Sequence, residues 1–254
     1  MGPPAPGLRE LHDGLDAAFE AALLPLRNAV GPIGVLFSGG VDSSLLAWEL
    51  RSVPAVVLCT MGCDGSADLA AGKTGAEQLG LPWEGLRVEA DAVREAEERF
   101  SRELEGLPSV TRTVLLALAL AIELASPPRL VCGQGVDELF LGYAHFRELS
   151  AADAGRRSRE DLARLRGTDW PRTERIAHLA GKSIVAPYLS AEFEKAALDV
   201  PVELRLPGDA PKGFFREWAV RRGLPEELAA RPKKAVQYGS GVETLLREMR
   251  RPGR

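Results

Sequence analysis

Apolar residues in the first half of the chain follow two different spacings. Near the N-terminus they recur every three or four residues, which predicts an amphipathic helix, and the residues concerned are Leu8, Leu11, Leu15, Phe19, Leu23, Leu26 and Val30. Short apolar runs that predict buried strands lie near 33–37, 55–60, 84–89 and 129–132, and helical patterns lie near 44–51, 67–79, 91–101 and 112–125. Strands that alternate with helices predict an α/β fold, a parallel doubly wound sheet with helices on both faces.

The alternation is expected to end near residue 145. Helical patterns then dominate, near 159–166, 171–180, 190–198, 212–222 and 241–250. They predict a helical C-terminal half packed on the sheet. We therefore expect residues 1–254 to form one domain, with an N-terminal helix over 1–31, an α/β core over 32–145 and a helical part over 146–254.

Composition narrows the classes of protein. The chain is 45% hydrophobic and 27% charged, and its net charge of -4 disfavours a general nucleic-acid binder. Acidic residues interrupt the arginine-rich stretch 156–166, which favours a solvated helix face over an RNA contact. Three cysteines, Cys59, Cys63 and Cys132, are too few for a disulfide framework and indicate the cytoplasm. No apolar stretch approaches the roughly 20 residues of a membrane helix.

The segment that joins the first strand to its helix carries the strongest chemical signal. It reads Phe37-Ser38-Gly39-Gly40-Val41-Asp42-Ser43-Ser44. Glycine lets the backbone approach an anion closely, and the start of a helix offers unpaired N–H groups and partial positive charge. A phosphate bound there would repel Asp42 unless a cation lay between them. The loop therefore predicts a nucleotide with bound Mg2+.

Two further strand ends are expected at the same edge of the sheet. The second strand ends at Thr60 and Met61, where adenine would lie against the backbone. The fourth ends at Cys132-Gly133-Gln134-Gly135 and leads to Asp137, again an acid beside two glycines. We predict that Asp42 and Asp137 hold Mg2+ together; the alternative is that Asp137 or Glu138 only caps a helix.

The first loop resembles the SGGxDS signature of the PP-loop ATP pyrophosphatases, which split ATP into AMP and pyrophosphate. The resemblance implies ATP and Mg2+ as ligands. It implies ATP contacts at Leu36, Ser38, Gly39, Gly40, Val41, Asp42, Ser43, Ser44, Thr60, Met61, Cys132, Gly133 and Gln134.

A Walker-type phosphate loop is the competing interpretation, because Gly72-Lys73-Thr74 and Gly181-Lys182-Ser183 each supply a Gly-Lys-Ser/Thr triplet. That motif needs a further glycine five residues upstream of the triplet. The required position is Ala67 in one case and Ile176 in the other, so neither triplet fits.

A narrower resemblance begins at the second loop. Residues 131–143 are similar to the GxGxDExFxGY motif of asparagine synthetases and their relatives, including β-lactam synthetases. Four more motifs of that family, VPFLD, K-x-x-L-R, LP-x-x-I and R-x-K…GxG, have counterparts in the same order at 186–189, 212–216, 224–227 and 231–241. The resemblance covers roughly residues 32–245. It implies an ATP-dependent amide ligase that adenylates a carboxylate, with aspartate as one candidate, and transfers ammonia to it.

The chain departs from the family in three places. Gly2 stands where the family has the glutaminase cysteine, so we expect no glutaminase domain, and ammonia that is either free or supplied by a separate glutaminase subunit. Where the family motif has Gly-Glu-Gly, this chain has Gly133-Gln134-Gly135. The Glu, Arg and Asp of its ExRVPFLD segment are Ser183, Val185 and Ser190, which puts aspartate in doubt more than the ATP chemistry.

The resemblance also implies catalytic residues. Lys233 aligns with the family's catalytic lysine, against the alternative of a surface lysine. Glu105 fits best as the base that takes a proton from ammonium, Glu103 competes with it, and a helix-surface glutamate is the alternative for both. Two other functions stay open: a PP-loop enzyme that modifies tRNA or transfers sulfur, and a nucleotide-binding subunit partnered with a separate glutaminase. The sequence leaves the acceptor acid and the oligomeric state, a homodimer included, undecided.

Overall fold

The computed structural model describes residues 7–208, 210–232 and 236–250, without the side chain of Gln237. Within these residues, five strands form one parallel sheet in the order β3-β2-β1-β4-β5. The strands are β1 (Ile33–Leu36), β2 (Val56–Gly62), β3 (Trp83–Arg87), β4 (Arg129–Val131) and β5 (Ser183–Val185).

Helices cover both faces of the sheet and most of the C-terminal part. The α-helices described are α1 (Leu8–Arg27), α2 (Val41–Leu50), α3 (Ala67–Leu79), α4 (Ala90–Arg99), α5 (Ser101–Leu104), α6 (Ser109–Leu124), α7 (Val136–Leu139), α8 (Ala151–Arg164), α9 (Trp170–Leu179), α10 (Ala191–Asp199), α11 (Val202–Arg205), α12 (Gly213–Arg221), α13 (Glu226–Ala230), α14 (Val236–Gly239) and α15 (Val242–Met249). Two 3-10 turns span Ala144–Glu148 and Pro187–Leu189, and a π-helical turn spans Leu165–Asp169 between α8 and α9.

Sheet order determines where a ligand can bind. The central strand β1 pairs with β2 on one side and β4 on the other, with Val35 opposite both Leu58 and Val131. Because all the strands run parallel, their carboxyl ends lie at one edge, and the loops after β1, β2 and β4 meet there. The predicted fold class is confirmed.

The expectation that strands end near residue 145 is wrong at one point. Ser183–Val185 forms β5, a parallel edge strand on β4. Only Ile184 of its three residues is buried. A strand of three residues with one buried side chain leaves no hydrophobic periodicity to detect, so it is recognisable only through its partner.

The two Walker-like triplets have structural roles. Gly72, Lys73 and Thr74 lie within α3. Lys182 Nζ donates to the backbone oxygens of Ile122 at 2.6 Å and Glu123 at 2.8 Å. These carbonyls belong to the last turn of α6, whose partial negative charge a lysine stabilises.

Polar contacts join α1 to the C-terminal helices. Trp218 Nε1 donates to Asp16 Oδ1 at 2.9 Å, and Arg222 makes ion pairs with Asp16, Glu20 and Glu49. Among the described residues, no helix is both long and apolar enough to cross a bilayer.

Candidate active site

The loop after β1, where the sequence predicts an anion site, leads directly into the start of α2. Gly39 adopts φ +68°, a conformation that glycine takes without strain. Ser43 Oγ donates to the carbonyl of Gly40 at 3.1 Å and accepts from the N–H of Ser38 at 3.3 Å, which closes the loop. The helix begins at Val41, so its first unpaired N–H groups face outward from this turn.

Lys212 connects the first loop to the second. Its Nζ lies 2.7 Å from Asp42 Oδ2 and 2.7 Å from Asp137 Oδ1, and the lysine side chain is buried. Burial alone would lower the pKa of this ammonium, but Asp137 and Asp42 more than offset burial and hold the pKa above its usual range. The two predicted metal ligands are therefore brought together around one cation that the sequence did not assign.

Glycines make this close approach possible. A Cβ at Gly142 would lie 2.0 Å from Asp137 Oδ1 and 2.3 Å from Lys212 Cε. A Cβ at Gly133 would lie 2.9 Å from the Asp42 Cβ. Both glycines belong to the second motif. Because these distances are too short for a real Cβ, a side chain at either position would push the two loops apart.

The donor set fits a Mg2+ ion carried by nucleotide phosphates. Asp42 Oδ1 is buried and has no hydrogen-bond partner among the described residues, so it has a lone pair to offer a cation. Among the described residues, no group of three or more His, Cys, Asp or Glu side chains could hold a metal ion through protein ligands alone. One or two carboxylates plus substrate phosphates is the arrangement that Mg2+ prefers.

A cavity of about 590 Å³ opens at this edge of the sheet. The predicted site residues that line it are Leu36, Ser38, Asp42, Ser43, Thr60, Met61, Cys132, Gly133, Gln134 and Asp137. Gly39, Gly40, Val41 and Ser44 lie in the loop and the first turn of α2 without lining the cavity. The predicted ATP residues are thus grouped around one space.

Thr60 is fixed in this wall by an aromatic neighbour. Trp83 Nε1 on β3 donates to Thr60 Oγ1 at 2.9 Å. Gly72 of α3 packs against the same side chain, since a Cβ there would lie 2.1 Å from Oγ1. The end of β2 is therefore held rigidly where the sequence places adenine.

The two buried cysteines at the cavity do not suit sulfur chemistry. Burial raises the pKa of the Cys132 thiol to about 12, and burial together with Glu84 raises the pKa of Cys59 well above its usual range. A thiol of this kind is not a thiolate near neutral pH, and the thiolate is the reactive form. Their burial is typical of cysteines that act as small apolar residues.

Glu138, which sequence reasoning did not assign, is a buried acid on the cavity wall. It accepts a hydrogen bond of 2.5 Å from the Tyr143 hydroxyl. Burial and the neighbouring Asp137 raise its pKa to about 7, against the opposing effects of Tyr143 and Lys212. The protonated form of Glu138 is therefore favoured by folding.

This shift predicts a pH-dependent gain in stability for Glu138→Gln. In the unfolded chain the carboxyl ionises near 4.5, so between 4.5 and about 7 only the folded state keeps the proton, and stability falls as pH rises. At pH 8 in metal-free buffer, we expect the variant to be more stable by about 1–3 kcal/mol, with little difference at pH 4.5. Urea unfolding at both pH values measures it, with the exposed Glu148→Gln as control. Equal or lower stability at pH 8 contradicts the prediction.

The structure describes two of the three predicted catalytic candidates, and neither of these two lines the cavity. Lys233 lies outside the described residues. Arg231, two positions earlier in the sequence, donates to the carbonyl of Gly39 at 3.0 Å, so the motif R-x-K reaches the phosphate loop through its arginine. Glu103 is buried and Glu105 is exposed, and neither is among the residues that line the cavity. The backbone oxygens of both accept from Arg172, and the base role at either position stays a prediction.

The arginine-rich stretch is exposed, which agrees with the predicted solvated face, and part of it also borders the cavity. Arg156, Arg157 and Arg164 are all exposed, and Arg156 pairs with Asp153. Arg157 and Arg164 also line the cavity together with His145, Asp169 and Thr173. Sequence reasoning did not separate these two arginines from Arg156, because the contacts that distinguish them are made to Asp161, an acid whose side chain is 3% exposed.

The three residues that depart from the ExRVPFLD segment lie away from the cavity lining. Ser190 caps α10 by accepting from the N–H of Phe193 at 3.3 Å, a role that aspartate also performs. Ser183 and Val185 are exposed on the edge strand β5. None of the three is among the residues that line the cavity.

Comparison with known proteins identifies the family of this chain. The family model described as asparagine synthase matches residues 14–181 and 150–252. The chain is 27% identical over 250 residues to the glutamine-hydrolyzing asparagine synthetase of Gallus gallus, covering 91% of this chain and 44% of that protein. It is 30% identical over 221 residues to that of Rattus norvegicus, covering 82% and 39%. The chain thus spans about half the length, or less, of these curated relatives.

Among solved structures, the NH3-dependent NAD synthetase of Campylobacter jejuni aligns with 67% of this chain and 93% of its own, at 15% identity and a TM-score of 0.39. This structural similarity is too low to support any further conclusion about the fold. The family match spans nearly all of the chain and includes both glycine loops and the Lys212 segment. The chain belongs to the asparagine synthase family.

Proposed function

We propose that the protein is an ATP-dependent amide ligase that forms AMP and pyrophosphate, adenylates an acceptor carboxylate and then transfers ammonia to the acyl group. The observation that carries this proposal is the Lys212 bridge between Asp42 and Asp137 at the mouth of two glycine loops. A lysine and a helix N-terminus stabilise phosphate charge directly, and the two carboxylates would act through a cation held between them and the phosphates.

The first half-reaction needs an acceptor oxygen in line with the α-phosphorus. A carboxylate oxygen would attack that phosphorus, and the bond to pyrophosphate would break. The loop 38–44 would hold the phosphates through N–H and hydroxyl groups, and Lys212 would offset the negative charge that builds on the leaving pyrophosphate. When bound, Mg2+ held by Asp42 and Asp137 would supply further charge neutralisation. Lys233, by resemblance, would contact the same phosphates.

The second half-reaction needs a base, because ammonium must lose a proton before it attacks the acyl-adenylate. Glu105 is the predicted base, with Glu103 as the competitor. If Glu105 has this role, Glu105→Gln will still release pyrophosphate but will no longer form the amide. Full amide synthesis by this variant would refute the assignment.

ATP–pyrophosphate exchange tests the proposal as a whole. We expect acceptor-dependent exchange with at least one small acid, and aspartate is the first candidate. Exchange with no acid would favour a nucleotide-binding subunit that serves a separate glutaminase. For an active ligase, the ammonia of the second half-reaction would be free ammonia or ammonia released by a separate glutaminase subunit. We propose the cytoplasm as the location, in keeping with the free thiols at Cys59, Cys63 and Cys132.

A further inference from the structure

Two buried ion pairs join α2 to α12. Lys212 Nζ lies 2.7 Å from Asp42 Oδ2, and Arg222 Nε lies 2.7 Å from Glu49 Oε1. Among the ion pairs of the described residues, only these two have both side chains nearly buried, 8% and 8% exposed in the first pair and 11% and 8% in the second. Buried ion pairs add little net stability, because both charges lose water, and their best-attested role is to fix the register of packed elements. The two pairs therefore bear on how α12 is aligned with α2.

The pairs lie at opposite ends of the same two helices. Asp42 is in the first turn of α2, and Glu49 is in its last turn, about 10 Å further along the helix axis. Lys212 directly precedes α12, and Arg222 directly follows it. Because each end of α12 is paired with one end of α2, a shift of α12 along α2 would disturb both pairs. The Arg222 end is therefore able to control the Lys212 end.

Arg222 anchors the C-terminal end of α12 to two other helices. Its guanidinium donates to Glu49 on α2, and on α1 to Asp16 Oδ1 at 2.8 Å and to Glu20. Its backbone oxygen accepts from Trp48 Nε1 at 3.2 Å. All three guanidinium nitrogens are engaged, and a planar guanidinium bound in this way fixes direction as well as distance.

Lys212 depends on such an anchor. Its φ of +61° is unfavourable for a residue with a Cβ, and a conformation of this kind persists only where surrounding contacts impose it. Its ammonium lies 2.7 Å from both Asp42 and Asp137. A small shift of α12 would lengthen both contacts, so the position of the ammonium follows the register of the helix.

We propose that Arg222 is a positioning residue, which sets the register of α12 through Glu49 and thereby places Lys212 between the two aspartates. This inference rests on the proposed function, because it takes Lys212 to offset the charge of the leaving pyrophosphate. Arg222 is not among the residues that line the cavity, so it acts on the reaction only through Lys212.

A double-mutant cycle on pyrophosphate release tests this role. At saturating ATP and an accepted acid, we expect Arg222→Met to lower release about tenfold or more, because a small displacement of a positioned group is costly. In the Lys212→Met background, the same change should cost at most about twofold further, since the group that it positions is gone. Glu49→Gln removes the other side of the pair and should reproduce the effect. This milder variant supports the same comparisons if Arg222→Met does not fold.

Arg27→Met is the matched control within the same cluster of charges. Arg27 pairs with Glu20 and Glu49, so it joins α1 to α2, and it makes no ion pair with α12 among the described residues. Its variant should release pyrophosphate like the wild type. Arg222→Lys keeps the positive charge but has one nitrogen in place of three, so it should restore only part of the release that Arg222→Met loses.

Mg2+ alone provides a second readout, which does not need turnover. If Arg222 holds the ammonium between Asp42 and Asp137, its loss lets Mg2+ compete for the aspartates, and binding to the folded state raises stability. Millimolar Mg2+ should raise the melting temperature of Arg222→Met by at least about 2 °C more than that of the wild type. Adding Arg222→Met to Lys212→Met should bring no further gain from Mg2+.

The inference is overturned if Arg222→Met and Glu49→Gln release pyrophosphate like the wild type, or if Arg222→Met costs as much without Lys212 as with it. It is also overturned if Arg27→Met causes the same loss, or if Mg2+ stabilises Arg222→Met no more than the wild type. Failure of the proposed function would look different. No acid would support pyrophosphate exchange by the wild type, while the additional gain of Arg222→Met from Mg2+ would remain.

Discussion

Asp42→Asn is expected to lower ATP cleavage by at least ~10²–10³-fold, at every Mg2+ concentration. The carboxylate has two roles in this geometry. Oδ2 accepts from Lys212 at 2.7 Å, and the buried Oδ1 has no hydrogen-bond partner among the described residues, so it is available to a cation. Asparagine keeps the shape but removes the negative charge, so it weakens both contacts. Added Mg2+ cannot restore a ligand that has lost its charge.

Pyrophosphate release in the presence of an accepted acid measures this loss. Asp64→Asn is the matched control, because Asp64 is an exposed aspartate in the loop after β2 and does not line the cavity. Thermal unfolding of both variants should show that the fold is retained. Normal turnover by Asp42→Asn would refute the metal and charge roles assigned here.

The phosphate loop could be predicted because its signal is local. Strand, glycines, serines and helix lie within a dozen residues, and each contributes a known backbone or charge property. The same reasoning located Asp137, because parallel strands share one ligand-binding edge. Residues whose roles follow from strand ends were therefore accessible from sequence.

Lys212 was not accessible in the same way. It lies 170 residues from Asp42 in the sequence, and its motif gave no hint that its ammonium would be buried between two acids. Its position follows from how α12 packs over the loops, and such tertiary contacts are not encoded in local periodicity. Lys212 also adopts φ +61°, an uncommon conformation for a residue other than glycine, which no sequence pattern predicts.

The α8 helix shows a related limit. Its sequence is polar on nearly every side, and polar helices are usually exposed, so periodicity could not separate Arg157 from Arg156. The difference lies in the contacts of Asp161, a buried acid whose carboxylate is paired with two arginines and lies beside His145. Interactions among charged side chains determine how α8 borders the cavity, and a hydrophobic pattern carries no information about such interactions.

Lys212→Met should destabilise the protein by about 3–5 kcal/mol without nucleotide and should reduce pyrophosphate release by ~10²-fold or more. Removing the ammonium takes away the cation that lies between Asp42 and Asp137, and like charges at this range repel strongly. Methionine is also unbranched at Cβ, so the backbone conformation at this position is no more strained than with lysine. The losses of stability and of pyrophosphate release would therefore result from the missing charge and not from backbone strain.

Mg2+ distinguishes this explanation from simple loss of packing. In the variant, two carboxylates without a lysine between them become a stronger divalent-cation site, and binding to the folded state raises stability by mass action. Millimolar Mg2+ should therefore recover a larger part of the melting temperature in Lys212→Met than it adds to the wild type. Lys195→Met, at an exposed lysine paired with Asp199, should show neither the destabilisation nor the recovery. A variant that unfolds like the wild type, or that gains nothing from Mg2+, would mean that the two aspartates do not depend on Lys212.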